Sequence, residues 1–371
     1  MKQRKIIILY LILMIILYNN TALAFEDNFN ISASSAIVMD VKTGRVLYKK
    51  NINKKRPMAS TTKIMTALVA LEKSSPGDMV KVPKNAVGVE GSSIYLKYNE
   101  KLTMKDLIYG LMLRSGNDSA VAIASHISGS VDGFVKLMNK RAKEIGARNT
   151  NFVNPHGLHH KNHYTTAYDL ALITRKALKN KEFHQIVKTK LWIADRDGYK
   201  YFYNKNKTLT QYNGGDGVKT GYTKVAGRCL VTSATRNGVQ LICVVLNAPN
   251  WFEDSYRLLD YAFEKYTPFH VIKKNSIIKN VSVQNGKKCS TNVVSKEDVI
   301  IPLTSNEKNQ ITKIVEIDEI LKAPIKRGQK IGKVKIYLKD NLLYTTDLVS
   351  REDIDIKNFK DKVIDFILRN R

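Results

Sequence analysis

The chain reads as an α+β protein. An antiparallel sheet with a helical cluster set between its early and late strands comes first. A small all-β domain and a C-terminal amphipathic helix follow. Three observations carry that expectation. Strand-like runs stand near 36–49 and again over 217–247, with helix-period segments between them. Short β-like runs separated by turn dipeptides fill the stretch from about 271 to 352. In the last segment Ile356, Phe359, Val363, Phe366 and Ile367 fall on one helical face. At 371 residues the chain is too long for one ordinary core, so two domains are expected, over 25–270 and 271–352, with a tail helix over 353–371.

The elements follow in order. Runs at 36–40 and 45–49 read as two strands around a turn at 41–44. The segment 57–73 reads as a helix, and its Ile64, Met65, Ala67, Leu68, Val69 and Leu71 are apolar nearly all round, which predicts burial. Helices are also expected over 102–113, 119–127, 134–145 and 166–178, the last opened by Thr166 and Asp169 in the manner of a capping box. The period then changes to two, and 217–222, 228–235 and 239–247 read as successive strands, closed by a helix over 258–265. Within the second domain, strands are expected over 276–283, 299–303, 312–317 and 332–339, with turns at Asn285-Gly286 and Asp340-Asn341.

The start of the chain has the form of a secretory signal. Lys2, Arg4 and Lys5 precede an apolar run over 6–18, and Ala22-Leu23-Ala24 supplies a small-x-small cleavage site. Thirteen apolar residues fall short of the roughly 20 that span a bilayer, although an uncleaved anchor is the alternative. Residues 1–24 are therefore assigned as a signal peptide, and an exported location, at the outer face of the cytoplasmic membrane or in the cell wall, is expected. The formal charge is +28. Such a balance usually points to nucleic acid, but export argues against that partner. Acidic wall polymers and phospholipid head groups remain, as does a lysine-rich composition that merely solvates the surface. Cys229, Cys243 and Cys289 make an odd count, against a disulfide framework. If the Asn237-Gly238 hairpin pairs Arg236 with Val239, Cys243 lies opposite Thr232, and Cys229 points to the other face.

The chemistry sits in three short motifs. A serine hydroxyl needs a base before it attacks, and a lysine of lowered pKa is one such base. Ser60-Thr61-Thr62-Lys63 puts the two on one helix face. Burial and a second cation nearby both depress a lysine's pKa. The motif alone is weak. Ser276 to Lys279 and Ser305 to Lys308 repeat it within the expected β domain, where i and i+3 face opposite ways. Ser115-Gly116-Asn117 and Lys219-Thr220-Gly221 follow in order. A second Lys-Thr-Gly, at Lys42-Thr43-Gly44, falls in the expected turn and is read as structural. On the expected strand, Lys219 and Gly221 share one face and Thr220 takes the other, and Gly221 leaves space for a ligand backbone.

This ordered set resembles the penicillin-recognising serine enzymes. Residues 56–66, 111–120 and 216–223 are similar to the three active-site segments of low-molecular-mass D-alanyl-D-alanine carboxypeptidases. Asn154-Pro155-His156-Gly157-Leu158 and 163–167 resemble their loop near the site. The resemblance is close over about 30–265 and architectural beyond, and it implies a β-lactamase/transpeptidase-like catalytic fold. It implies that Ser60 is the acylated nucleophile and Lys63 its proton acceptor. Ser115 would relay a proton to the leaving amine, and Asn117 would hold the substrate amide and orient Lys63. Lys219 and Thr220 would receive the terminal carboxylate on a strand shaped by Gly221. The backbone N–H groups of Ser60 and Tyr222 would form the oxyanion hole. The implied substrate is the peptidoglycan stem pentapeptide, the implied inhibitors are β-lactams, and no cofactor or metal is required. The tail helix over 353–371 would make peripheral membrane contact.

The chain departs from the resemblance in two places. Some relatives carry a carboxylate-binding arginine just after the third of the late strands. Here only Arg257 stands near, in the run Asn250 to Arg257. Tyr222 takes the place of a histidine. The cluster His156, His159, His160 and His163 has spacing that suits a metal, but local hydrogen bonding is the favoured reading of these histidines. The rivals are a serine β-lactamase, an esterase built on the same pair, and a non-catalytic wall-binding scaffold. A β-lactamase would need a Glu-x-x-x-Asn segment, and neither Glu144 nor Glu182 has Asn four residues on.

Overall fold

The computed structural model describes residues 30–361. The expected signal segment lies outside them, as does most of the expected tail helix. β1 (Ser35–Asp40) and β2 (Val46–Lys50) pair antiparallel around the turn at 41–44. A 3-10 helix, Ala59–Thr62, then runs directly into the helix Lys63–Lys73, whose first eight residues are all buried. The single helix expected over 57–73 therefore starts later and tighter.

β3 (Met79–Lys81) pairs with β4 (Lys101–Thr103). This breaks the helix expected over 102–113. Leu102 is held in the ladder opposite Val80, and Thr103 Oγ1 caps the helix Met104–Tyr109 by accepting from Asp106 N at 3.0 Å. A π-helical turn, Gly110–Arg114, follows and ends on Ser115 in the left-handed region, φ +66°. Helices Asn117–Ser128, Val131–Ile145 and Ala167–Leu178 match the expected ones within a few residues. Thr166 Oγ1 accepts from Asp169 N at 3.0 Å, but the Asp169 carboxylate turns to Asn149 N and Thr150 Oγ1, so only half of the capping box forms. The helix Lys181–Lys188 and the hairpin of β5 (Leu191–Ile193) and β6 (Tyr201–Tyr203) have no counterpart in the sequence reading.

After a short helix, Thr208–Gln211, the chain returns to the sheet as β7 (Gly215–Thr223), β8 (Gly227–Arg236) and β9 (Val239–Leu246). The order is β2-β1-β9-β8-β7, which leaves β7 on an edge. The hairpin register is the expected one, with Arg236 opposite Val239 and Thr232 opposite Cys243. Cys229 and Cys243 are buried and free. Helix Trp251–Lys265 covers the opposite face of the sheet from the helical cluster and is longer than expected.

β10 (Thr267–Ile272) leads into a second core built on Val281, Val293, Val299, Ile301, Ile336 and Leu348. β11 (Ile277–Gln284), β12 (Ser290–Ser295), β13 (Val299–Leu303), β14 (Ile311–Ile317), β15 (Ile320–Lys322), β16 (Lys330–Leu338) and β17 (Asn341–Ser350) follow. They form a six-stranded sheet, with β10 and β13 as a separate pair. Leu338 pairs with Asn341, so the last turn falls at Lys339-Asp340, one residue before the expected dipeptide. Ser305 to Lys308 lies on a 3-10 helix, Ser305–Gln310, not on a strand. The face argument against this Ser-x-x-Lys therefore fails, and what sets it apart from Ser60 is that Ser305 is exposed and Lys308 is not fully buried. Among the described residues no helix is long and apolar enough to cross a membrane.

Candidate active site

The nucleophile turn begins under strain. Ala59 has φ +48°, a conformation that L residues rarely adopt and that clusters at functional sites. The 3-10 geometry eclipses residues i and i+3. It brings Lys63 Nζ to 3.1 Å from Ser60 Oγ. Lys63 is fully buried. Its nitrogen has two further neighbours, Asn117 Oδ1 at 2.7 Å and the His156 carbonyl oxygen at 2.7 Å. Asn117 Nδ2 donates to the Glu90 carbonyl, which fixes the amide so that Oδ1 faces the lysine. Asn117 N donates to Ser92 O at 2.7 Å, so the loop over 90–92 holds both ends of the asparagine.

Burial lowers the pKa of Lys63 well below the usual lysine value. Lys219 adds repulsion, and Asp118 opposes the shift. Lys219 is 2 % exposed, and its Nζ donates to Thr220 O at 2.9 Å. Burial first, and Lys205 second, bring its pKa down to about 7. Two buried lysines thus share one site, and Lys219 makes the charge of Lys63 more costly.

The loop expected near the site acts through its backbone. Gly157 has φ +95°, and a Cβ there would lie 2.0 Å from Ala59 O. Only glycine lets the loop press against the nucleophile turn. His163 Nδ1 accepts from Val153 N at 3.0 Å, so the ring's proton sits on Nε2, 2.8 Å from Thr62 Oγ1. Thr62 Oγ1 in turn donates to Ala59 O at 2.8 Å. Burial keeps His163 neutral, with a pKa of about 3. His156 Nδ1 accepts from Leu158 N, and burial followed by Lys63 lowers its pKa to about 4. His160 Nδ1 likewise accepts from Asn162 N. Local hydrogen bonds thus account for His156, His160 and His163, three of the four histidines for which that reading was favoured.

Ser115 is carried in by its left-handed turn and is 6 % exposed. Its hydroxyl is not among the three neighbours of Lys63. Gly221 corrects an expectation. A Cβ there would lie 2.8 Å from Ser60 N and 3.0 Å from Thr61 N, so the space beside the strand is filled by the nucleophile turn and not left for a ligand. Thr220 lies on the opposite face of β7, and the Tyr222 side chain is 61 % exposed, which leaves only its backbone for the site. The sequence reading missed the carbonyl of His156, the carbonyl of Glu90 and the His163–Thr62 link. Backbone carbonyls carry no residue signature.

The family model described as D-alanyl-D-alanine carboxypeptidase matches residues 21–250, and the one described as penicillin-binding protein 5, C-terminal domain, matches residues 266–355. The chain is 34 % identical over 363 residues to D-alanyl-D-alanine carboxypeptidase DacF of Bacillus subtilis (strain 168), covering 94 % of this chain and 93 % of that protein. It is 32 % identical over 358 residues to DacA of Haemophilus influenzae, covering 91 % and 89 %. The fold is similar to the crystal structure of penicillin binding protein 5 from Haemophilus influenzae, with a TM-score of 0.67 and 32 % identity over 88 % of this chain and 98 % of that one. With the three motifs assembled at one buried lysine and both family models matched in order, the chain belongs to the D-alanyl-D-alanine carboxypeptidase family of penicillin-binding serine peptidases.

Proposed function

We propose that the chain removes the terminal D-alanine from peptidoglycan stem pentapeptides through an acyl-enzyme on Ser60. The observation that carries the reading is the environment of Lys63 Nζ. Asn117 Oδ1 and His156 O only accept hydrogen bonds. A neutral amine has two N–H groups, which these two oxygens take. Its lone pair is then left for the third neighbour, the Ser60 hydroxyl. The lowered pKa of Lys63 favours that neutral form.

The reaction follows from this arrangement. Ser60 Oγ attacks the carbonyl between the two D-alanines as its proton passes to Lys63. The backbone N–H groups of Ser60 and Tyr222 receive the oxyanion. Ser115 relays a proton to the leaving amine, the peptide C–N bond breaks, and D-alanine departs. Water then hydrolyses the ester. An extended peptide suits the free edge of β7, which can accept a further strand. Lys219 and Thr220 are assigned to receive its carboxylate. β-Lactams acylate the same serine and inhibit. Glu144 pairs with Arg141 at 3.0 Å, and Glu182 opens the helix Lys181–Lys188, so neither supports the β-lactamase rival.

Export through residues 1–24, the division near 270 and a peripheral membrane contact through 353–371 belong to the same proposal. The two successive family-model matches and the separate second core support the division. Removal of residues 357–371 is expected to release the protein from anionic vesicles, and unchanged binding would sink the membrane contact.

The test is release of D-alanine from a peptide ending in Lys-D-Ala-D-Ala by the mature chain and by Ser60→Ala. Release by the first alone supports the reading. No release by either folded protein would turn it toward a scaffold, or toward an esterase if simple esters are cleaved.

A further inference from the structure

The substrate of the proposed reaction ends in a carboxylate, and the cations already placed at the site hold it poorly. Lys219 is buried, gives one N–H to Thr220 O, and with a pKa of about 7 is only partly charged at neutral pH. Lys63 must be neutral to act as a base. Arg257 lies on the helix Trp251–Lys265, and Pro249 to Trp251 follow β9 with no cation among them. A permanent positive charge must come from another element.

β8 carries one. Arg228 stands directly opposite Tyr222 in the β7–β8 register, beside the Gly221–Cys229 and Thr220–Leu230 pairs. Residues opposite each other share a face, as do residues two apart, so Arg228 and Thr220 project from the same side of the sheet. They are diagonal neighbours, about 7–8 Å apart at the backbone. That gap is within reach of an arginine side chain. Arg228 is exposed. Its Nη1 donates to Pro249 O at 2.7 Å, and the guanidinium lies 5.9 Å from the centre of the Trp251 ring. Its carbonyl accepts from Ala248 N at 2.9 Å. Among the described residues no carboxylate pairs with it. A guanidinium has five N–H donors in a planar fork that fits a carboxylate, and it keeps its charge at every relevant pH.

We propose that Arg228 binds the terminal carboxylate of the substrate, reaching it from the strand beside the Lys219-Thr220-Gly221 strand. The proposal rests on the carboxypeptidase reading above. Pro249 O and Trp251 hold the side chain in waiting, and the remaining N–H groups take the carboxylate together with Thr220 Oγ1. The arrangement gives the enzyme its preference for a free C-terminus. Recognition comes from a residue upstream of β9 instead of one downstream.

The experiment compares three substrates: the Lys-D-Ala-D-Ala peptide as the free acid, the same peptide as its C-terminal amide, and a neutral thioester with no carboxylate. Arg228→Ala is expected to lower kcat/KM on the free acid by about 10- to 100-fold, chiefly through KM. Thioester turnover should stay within about twofold, which also shows that the variant is folded. The preference for acid over amide should shrink by the same factor, and Arg228→Lys should keep part of it. Undiminished preference in Arg228→Ala would overturn the assignment. So would equal losses on all three substrates, or a collapse of the preference in Lys205→Ala instead. If the wild-type chain turns over the thioester but releases no D-alanine, the carboxypeptidase reading fails and takes this assignment with it.

Discussion

The chain contains Lys-Thr-Gly twice, and the two copies do unrelated work. At Lys42-Thr43-Gly44 the tripeptide is a turn. Thr43 donates through its backbone and hydroxyl to Asp40 Oδ2, and Gly44 takes φ +80°. Lys42 reaches out to Glu297 and the Asp298 carbonyl, while Arg45 pairs with Glu307, so this turn fastens the second core to the first. At Lys219-Thr220-Gly221 the same residues lie on an edge strand. Lys219 is buried beside Lys63, and Gly221 abuts Ser60. The difference is one of backbone and partners. A turn exposes its lysine to carboxylates, whereas a strand under a helical cluster strips its lysine of water.

That comparison can be broken at several points. The largest effect is expected at the base itself: Lys63→Met should lower kcat/KM for D-alanine release by about 10²- to 10⁴-fold. Turnover within tenfold of wild type would remove Lys63 from the chemistry. Next comes glycine against glycine. Gly221→Ala pushes the strand off Ser60 and should slow acylation by about 10²-fold, measured with a fluorescent penicillin. Gly44→Ala should leave acylation alone and cost about 1–3 kcal/mol in urea unfolding. Threonine against threonine is milder. Thr220→Ala should lower kcat/KM by about tenfold, and Thr43→Ala should cost only about 1 kcal/mol of stability with unchanged kinetics.

The smallest test is a displacement on the pH axis. Acylation needs neutral Lys63, so its rate rises with pH through the Lys63 pKa. Lys219 lowers that pKa, so Lys219→Met should raise it and move the rising limb of thioester acylation to higher pH. Lys42→Met should leave the limb in place. A limb that moves equally in both, or in neither, would undo the electrostatic part of the account.

The sequence made much of this legible, for physical reasons. Period-two runs fixed β7, β8 and β9, and the Asn-Gly turn set the Arg236–Val239 register. Side-chain motifs located Ser60, Lys63, Ser115, Asn117 and Lys219. What stayed hidden is mostly backbone. The π turn at Gly110–Arg114 is a single turn whose buried Leu111, Met112 and Leu113 continue the apolar run of the helix before it, so 102–113 read as one element. The three-residue strands β5 and β6 are too short to show a period. The His156 and Glu90 carbonyls that orient the Lys63–Asn117 pair leave no mark on composition. Gly221 had the right residue and the wrong reason, because the atom it makes room for belongs to the protein.

The most direct test of the central claim is the mass and position of a penicillin adduct. The wild-type chain should gain one penicilloyl group, and proteolytic mapping should place it on the peptide containing Ser60. Ser60→Ala should gain none. An adduct on Ser276 or Ser305, or one that persists in Ser60→Ala, would contradict the claim that this serine is the nucleophile the three motifs assemble.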